Sequence, residues 1–449
     1  MPLTEQKSFR KELLTLAIPL ALQQLLSALV GATDALVLGR LNQEAIAAVS
    51  LANQICFIMS LFTGSVIGSV SVLVAQYWGK RDYAKAKRFL GMAIRYVTGI
   101  SLAFFCGAYF FPRQLMRIFT PEEALIKIGA EYLRIVSFSY LLMGISQCYL
   151  MVMKISGFAT MSVWISAVTV VVDVAADIFL VYDWGAWKGL GASGTAWSTI
   201  VVEGIVLIWC LTWSFRVKEV RPGFGDLTRF SAALERDLWK ILPAMLASAL
   251  SWGLSMSVHS LIIGHLGTDA TAAYSVAGVA MQLIQCLCHG MASGLGIMIG
   301  GALGSNQLEK AKEYGKKSWN VSLIGGLINI VLIAIAGPLV YRFYVLEPQA
   351  KEYLVGMLIF NALYLFAFSY NTIFTCGVFP AGGDAQYDAI SVFFATWCFA
   401  IPLSLLGCFV FQWPVMVVFV VMCLDEIVKV PFIKWRYNKY IWLKNLTRE

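Results

Sequence analysis

Gly39-Arg40-Leu41, followed by Glu44-Ala45-Ile46-Ala47-Ala48-Val49-Ser50, returns later as Gly264-His265-Leu266, followed by Asp269-Ala270-Thr271-Ala272-Ala273-Tyr274-Ser275. The displacement is 225 positions, and it holds elsewhere. Gly79 with Lys85-Ala86-Lys87 returns as Gly304 with Lys310-Ala311-Lys312, and Pro19 and Pro243 each open a long apolar run. Two similar apolar halves are the mark of a membrane chain that places its substrate between internal repeats. Six helices per half keep the copies parallel, whereas an odd number would invert the second.

Composition agrees. The 449 residues are 59% hydrophobic and 13% charged, and mean hydropathy is +0.74. A soluble domain carries about 25% charged residues. Here Asp, Glu, Lys and Arg are absent from 45–79, 270–308, 353–383 and 389–424. A crossing needs about 20 apolar residues. Twelve are predicted: 14–40, 45–77, 88–111, 128–153, 159–182, 190–215, 238–266, 270–303, 316–340, 352–378, 388–410 and 414–435. The fold is therefore expected to be all-α. It is a polytopic membrane protein whose two parallel six-helix pseudo-repeats surround a central cavity. The divisions are an N-lobe over 1–215, a cytoplasmic linker over 216–237, a C-lobe over 238–436 and a cytoplasmic tail over 437–449.

Lys and Arg set the orientation. One side collects the N-terminus, Lys80 to Arg95, Lys154, Arg216 to Lys240, Lys310 to Lys317, and Lys429 onward, which is 26 of the 34 basic residues. Both termini are expected in the cytoplasm of a bacterial cell with the chain in its plasma membrane. This bias explains the net charge of +8, and no nucleic-acid partner is expected. The first apolar run is too long for a signal-peptide core and should remain as a helix. The ten cysteines sit in apolar runs without a metal or disulfide spacing, so packing is their expected role. The linker reads as a tether, or as ending in a surface helix over 231–240. Lys80 to Arg88 reads as an inner loop or a lipid-headgroup patch.

Carboxylates inside apolar spans are costly and are candidates for function. Asp34 lies six residues before Arg40, ~9 Å inside the outer end of its helix. Asp173 and Asp177 share a helix face at i, i+4. Gathered in a low-dielectric cavity, such acids cannot all hold their charge, so the group takes up a proton or binds a cation such as Na⁺ through its oxygens. The second half breaks the symmetry, since Asp34 maps to His259. His259 and His289 read as core residues or as titrating groups, and Glu203 stays open. Asp425 and Glu426 with Lys429 one turn on read as a local salt bridge.

Thr33-Asp34-Ala35-Leu36-Val37-Leu38-Gly39-Arg40-Leu41 followed by Ala45-Ile46-Ala47-Ala48-Val49 resembles the first-helix Asp motif and second-helix start of the MATE family, the multidrug and toxic compound extrusion transporters. The carboxylates resemble its DinF-like branch, where an Asp on helix one and an Asn-x-x-x-Asp on helix five line an N-lobe cavity. The resemblance implies that Asp34 and Asp177 are the coupling acids and possible Na⁺ ligands. Asp173 stands where the branch has Asn. Thr195 matches a threonine of that cavity, Gln147 is the nearest amide to its helix-four Asn, and His259 is a candidate lining residue. The NorM-like branch carries a Glu on helix seven, which Leu250-Ser251-Trp252 does not supply.

The resemblance implies a monomeric antiporter without organic cofactor, surrounded by membrane lipid. It exports amphipathic, cationic small molecules as H⁺ or Na⁺ enters. A lipid-linked oligosaccharide flippase of the same superfamily is the nearest rival, and it should carry basic residues inside its helices. An intramembrane enzyme using Asp173-x-x-x-Asp177 to hold a Mg²⁺-diphosphate would need a second acidic motif, so the chain is not expected to be an enzyme.

Overall fold

The computed structural model describes residues 3–41, 43–184, 187–217, 219–228, 230–344 and 346–448. Lys218 and Arg229 of the linker therefore lie outside the described residues. The helices in chain order are α1 Leu3–Gly39, α2 Gln43–Gly79, α3 Tyr83–Phe110, α4 Pro112–Phe119, α5 Glu123–Ile155, α6 Ala159–Val181, α7 Ala192–Arg216, α8 Phe224–Thr228, α9 Ala232–His265, α10 Thr268–Gly304, α11 Leu308–Phe343, α12 Pro348–Ala381, α13 Ala385–Val410 and α14 Val415–Asn438. Among the described residues there is no strand beyond an isolated Trp184–Trp187 bridge.

Eleven of these helices are long and apolar enough to cross a membrane. The exception among the twelve long ones is α14, which interrupts its apolar run with Asp425, Glu426 and Lys429. Large apolar side chains cover much of the exposed surface. Leu36, Trp164, Val171, Ile208 and Ile359 are each more than 60% exposed, as expected where lipid is the solvent.

Helix ends follow local chemistry. The Asp82 side chain accepts a hydrogen bond from the Lys85 amide at 3.1 Å and caps α3. Pro348 opens α12, where its missing N–H costs nothing. π-Helical turns interrupt α12 at Ile373–Val378 and α13 at Phe393–Ala400 and Leu406–Val410. No pattern in the sequence announced them.

The chain forms two compact units. One comprises Gln23–Val74 and Asp82–Leu238, and the other Met1–Leu22, Ala75–Arg81 and Trp239–Glu449. The core of the first unit gathers Leu38 of α1, Val49, Ala52 and Met59 of α2, and Tyr132, Leu133 and Tyr140 of α5. Its linker portion is docked. Glu235, in the first turn of α9, pairs with Arg95 and accepts a hydrogen bond from Tyr96 Oη at 2.7 Å. Gly91 of α3 lies against the Asp226 carbonyl of α8, where a side chain would not fit. The surface helix considered over 231–240 is the start of α9 itself. The core of the other unit joins Phe9, Leu13 and Ala17 of α1 to Leu295 and Ile299 of α10, Phe374 and Phe379 of α12, and Trp442.

Candidate functional site

Three acids meet in the first unit. Each of Asp34, Asp173 and Asp177 offers a carboxylate oxygen within 4.8 Å of the other two. Asp177 is fully buried, Asp173 is 2% exposed, and Asp34 is half-buried. Asp173 and Asp177 stack one turn apart on α6, and Asp34 approaches from α1.

The sequence builds this meeting in two steps. First, α6 and α7 are drawn together where a tight connection joins them. The Leu190 amide donates to the Leu180 carbonyl at 2.8 Å, and the Gly189 amide to Asp183 Oδ1 at 2.7 Å. Gly194 then lies against the Leu180 backbone, where an added Cβ would stand 2.8 Å from its carbonyl. Ser198, one turn beyond Gly194, is thereby placed on α6. Its hydroxyl donates to Asp173 Oδ1 at 3.2 Å. Second, the Tyr182 hydroxyl donates to the Val37 carbonyl at 2.7 Å and fixes the outer end of α1 against the end of α6. Val37 is three residues past Asp34 and Tyr182 five past Asp177, so this clasp sets the height at which the acids face each other.

Among the described residues, Asp34 Oδ1, Asp173 Oδ2 and both Asp177 oxygens are buried without a hydrogen-bond partner. An ionised carboxylate is an acceptor and wants donors or a cation. Four such oxygens in one place call for protons or a positive ion. The donor set consists of hard carboxylate oxygens, which suit a hard cation such as Na⁺ and equally a shared proton. Glu203, on α7, is close enough for its charge to interact with that of Asp173, and its Oε2 also lacks a partner. Tyr132 of α5 lies near Asp34 and Asp177 and donates its hydroxyl to Asn53 Oδ1 at 3.2 Å.

The other candidates stand apart. Thr195 is buried, but its hydroxyl turns back to the Ala192 carbonyl of its own helix at 2.9 Å. Gln147 is exposed on α5. His259 belongs to the other unit, where it is buried with Nε2 unpartnered. Sequence reasoning missed Ser198 and Tyr182. The signal for Ser198 was its i+4 spacing from Gly194, legible only once that glycine is known to touch α6.

Of Asp425, Glu426 and Lys429, the last two form the local ion pair, and Asp425 is held by hydrogen bonds. Lys429 Nζ contacts Glu426 Oε1, and Thr396 Oγ1 donates to Asp425 Oδ2 at 3.2 Å.

The MatE family profile matches residues 19–179 and 243–406, once in each half. The probable multidrug resistance protein YoeA of Bacillus subtilis is 22% identical over 416 residues, covering 90% of this chain and 89% of the relative. The uncharacterized transporter YisQ of the same organism is 20% identical, covering 96% and 95%. Among solved structures, a MOP superfamily transporter from Pyrococcus furiosus, described as having a binding pocket of reverse polarity, superposes with a TM-score of 0.87 at 16% identity over 96% of both chains. The outward-facing conformation of a multidrug resistance MATE family transporter gives 0.85 at 17%, again over 96% of both.

Proposed function

This chain belongs to the MatE family, a membrane transporter and not an enzyme, and from that premise we propose that it is a secondary antiporter coupled through Asp34, Asp173 and Asp177. It exports amphipathic, cationic small molecules as H⁺ or Na⁺ enters. The observation that carries the reading is the trio of buried carboxylates with four unpartnered oxygens.

The chemistry follows from charge. With no ion bound, three negative charges within 4.8 Å of one another repel strongly in a medium of low dielectric. An entering cation or proton removes part of that repulsion and draws α1 toward α6. Occupancy thus biases conformation, and reciprocity requires conformation to bias occupancy. One monovalent cation leaves two negative charges behind, so proton uptake by at least one acid accompanies Na⁺ if Na⁺ is the ion. The membrane potential contributes about 2.3 kcal/mol per charge per 100 mV. Asp173 adds a third carboxylate where the DinF-like pattern has Asn. Ser198 holds it in place, and its neutral form can donate to Asp34 or Asp177.

Export of drug-like cations is supported by relatives named as multidrug resistance proteins, including YoeA. We further propose a multi-pass monomer in a bacterial plasma membrane, with both termini cytoplasmic and no organic cofactor. Reconstituted efflux of a panel of fluorescent cations, under separately imposed pH and Na⁺ gradients, tests the proposal. Efflux driven by one gradient and abolished in Asp34→Asn is expected. Efflux that ignores both gradients overturns it.

A further inference from the structure

Between α13 and α14 runs a crevice of about 260 Å³, with Tyr387, Ile390 and Phe394 on one wall and Phe432 and Trp435 on the other. Helical spacing builds both walls. Tyr387, Ile390 and Phe394 follow one another at i, i+3 and i+7, and Phe432, Trp435 and Lys439 repeat that interval. The Tyr387 hydroxyl donates to the Phe432 carbonyl at 2.8 Å, and the Thr396 hydroxyl to Asp425 Oδ2 at 3.2 Å. One number rises as the other falls, so the helices are antiparallel. Tyr387 and Trp435 therefore stand together at the end nearest the chain's C-terminus, and Phe394 lies ~10 Å further along. Ile390, Phe394, Phe432 and Trp435 are each about half exposed or more.

An apolar helix face that meets lipid is ordinary in a membrane chain. What sets this one apart is the charge at its end. The Lys439 ammonium lies 3.6 Å over the Trp435 ring, and the Arg436 guanidinium 4.9 Å over the Tyr387 ring. Both rings at that end thus carry a cation. Arg436 is neutralised by Asp384, which takes two of its five N–H groups at 2.8 and 2.7 Å. Lys439 is exposed, and among the described residues no carboxylate pairs with it. From 427 to 448 the sequence has six basic residues and no acidic one. Lys429 also lines the crevice, toward its other end, but Glu426 takes up its charge. The uncompensated charge therefore sits at one end of an otherwise apolar channel.

That arrangement matches an amphiphile with a hydrocarbon chain and a negative head. A zwitterionic head brings its own cation to face Lys439, and a bare hydrocarbon leaves Lys439 unused. Trp and Tyr rings settle at headgroup depth, and basic pockets between helices gather acidic lipids. Phe394 and Ala395 enter the crevice from the π-helical turn that begins at Phe393, an irregularity common at binding sites.

We propose that this crevice is a binding site for an anionic phospholipid. One acyl chain lies along Ile390, Phe394 and Phe432. The phosphate rests at Trp435, held by the Lys439 ammonium and by the guanidinium N–H groups that Asp384 leaves free. The inference needs the chain to sit in a membrane and does not rest on coupling through Asp34.

Native mass spectrometry of the delipidated full chain in detergent tests it. The chain is titrated with phosphatidylglycerol or phosphatidylcholine of the same acyl composition, and the affinity for the first bound lipid is read. Phosphatidylglycerol is expected to bind about fivefold more tightly, the factor that one surface cation supplies, and Lys439→Gln should remove that preference. Ile390→Trp, which fills the crevice, should weaken both lipids. Lys434→Gln is the control, because Lys434 leans over Trp319 of α11 at 5.8 Å. As a screened surface charge it should change the affinity less than about twofold. All three substituted side chains are exposed, so folding is expected to survive. Equal affinity for the two lipids overturns the proposal, as does a loss in Lys434→Gln equal to that in Lys439→Gln. Glycerol phosphate, which has the head without the chains, should not displace the lipid at matching concentration. Displacement would mean a site for free phosphate and would also overturn it.

Discussion

Neutralising Asp34 separates a working ion site from a carboxylate that merely faces interfacial water. Asp34→Asn keeps the shape of the side chain and removes one charge. Its carboxylate lies within 4.8 Å of both α6 acids, so an ion seated among them stands closer to each than that, and taking 4.8 Å as its distance gives a lower bound. At this distance one charge pair is worth on the order of 3 kcal/mol at an effective dielectric of about 20, and less than about 1 kcal/mol in bulk water. At about 1.4 kcal/mol per factor of ten, the first figure is roughly a 300-fold loss of ion affinity and the second about fourfold. The two environments therefore predict outcomes nearly a hundredfold apart.

The assay is the concentration of coupling ion that half-saturates its stabilisation of the purified protein against heat, read beside ion-driven efflux from proteoliposomes. The variant should fold and melt at or above the natural temperature with no ion bound, because a repulsive charge has gone. It should need two to three orders of magnitude more ion and should lose coupled efflux. A shift below about tenfold with undiminished efflux would show that Asp34 sits in a high-dielectric setting, and the coupling argument would fall.

Asp173→Asn should retain folding and a measurable share of efflux, since Asn can still accept from Ser198, now at 3.2 Å from Oδ1; complete loss in the same liposome assay would make the third carboxylate indispensable. Gly194→Ala places a Cβ 2.8 Å from the Leu180 backbone, and chemical denaturation should read about 1–3 kcal/mol of lost stability, with coupling weakened as Ser198 moves off α6. Lys429→Met leaves Glu426 and Asp425 without their counter-charge and should destabilise by about 3–5 kcal/mol; Glu426→Gln in the same chain should restore part of that in thermal unfolding, and no restoration would mean the ion pair is not what holds α14.

The acids were visible in the sequence because charge in an apolar run is conspicuous. Counting residues inward from Arg40 gave the depth of Asp34, and helical spacing alone put Asp173 over Asp177. What joins them was not visible. The Tyr182–Val37 clasp spans 145 positions, and Ser198 reaches Asp173 from 25 positions away. Nothing in either local pattern distinguishes these residues from ordinary packing. The same holds for Glu235, whose partner Arg95 lies 140 positions earlier. That pair turns an apparently loose tether into a docked segment. Periodicity reports which face is apolar. It does not report which polar group on the far side will find it.

The repeated glycines show how a sequence signal can be real and its meaning still hidden. Gly79 and Gly304 occupy the same position in the two halves, near the ends of α2 and α10. In the structure each meets the other's helix. Gly79 lies against the Gly301 backbone and Gly304 against that of Gln76, and a Cβ at either would collide. The repeat therefore encodes one close helix crossing, written once from each side. Such closeness leaves Gln76 fully buried. Its amide nitrogen donates to the Ala381 carbonyl at 2.6 Å, and its amide oxygen accepts from the Leu446 N–H at 2.6 Å. A lone buried amide with both ends bonded is a strong local anchor. This anchor accounts for Ala75–Arg81 grouping with residues 239–449, even though α2 runs on without a break. Unit membership here follows the glycines and one glutamine, about which the apolar character of α2 had nothing to say.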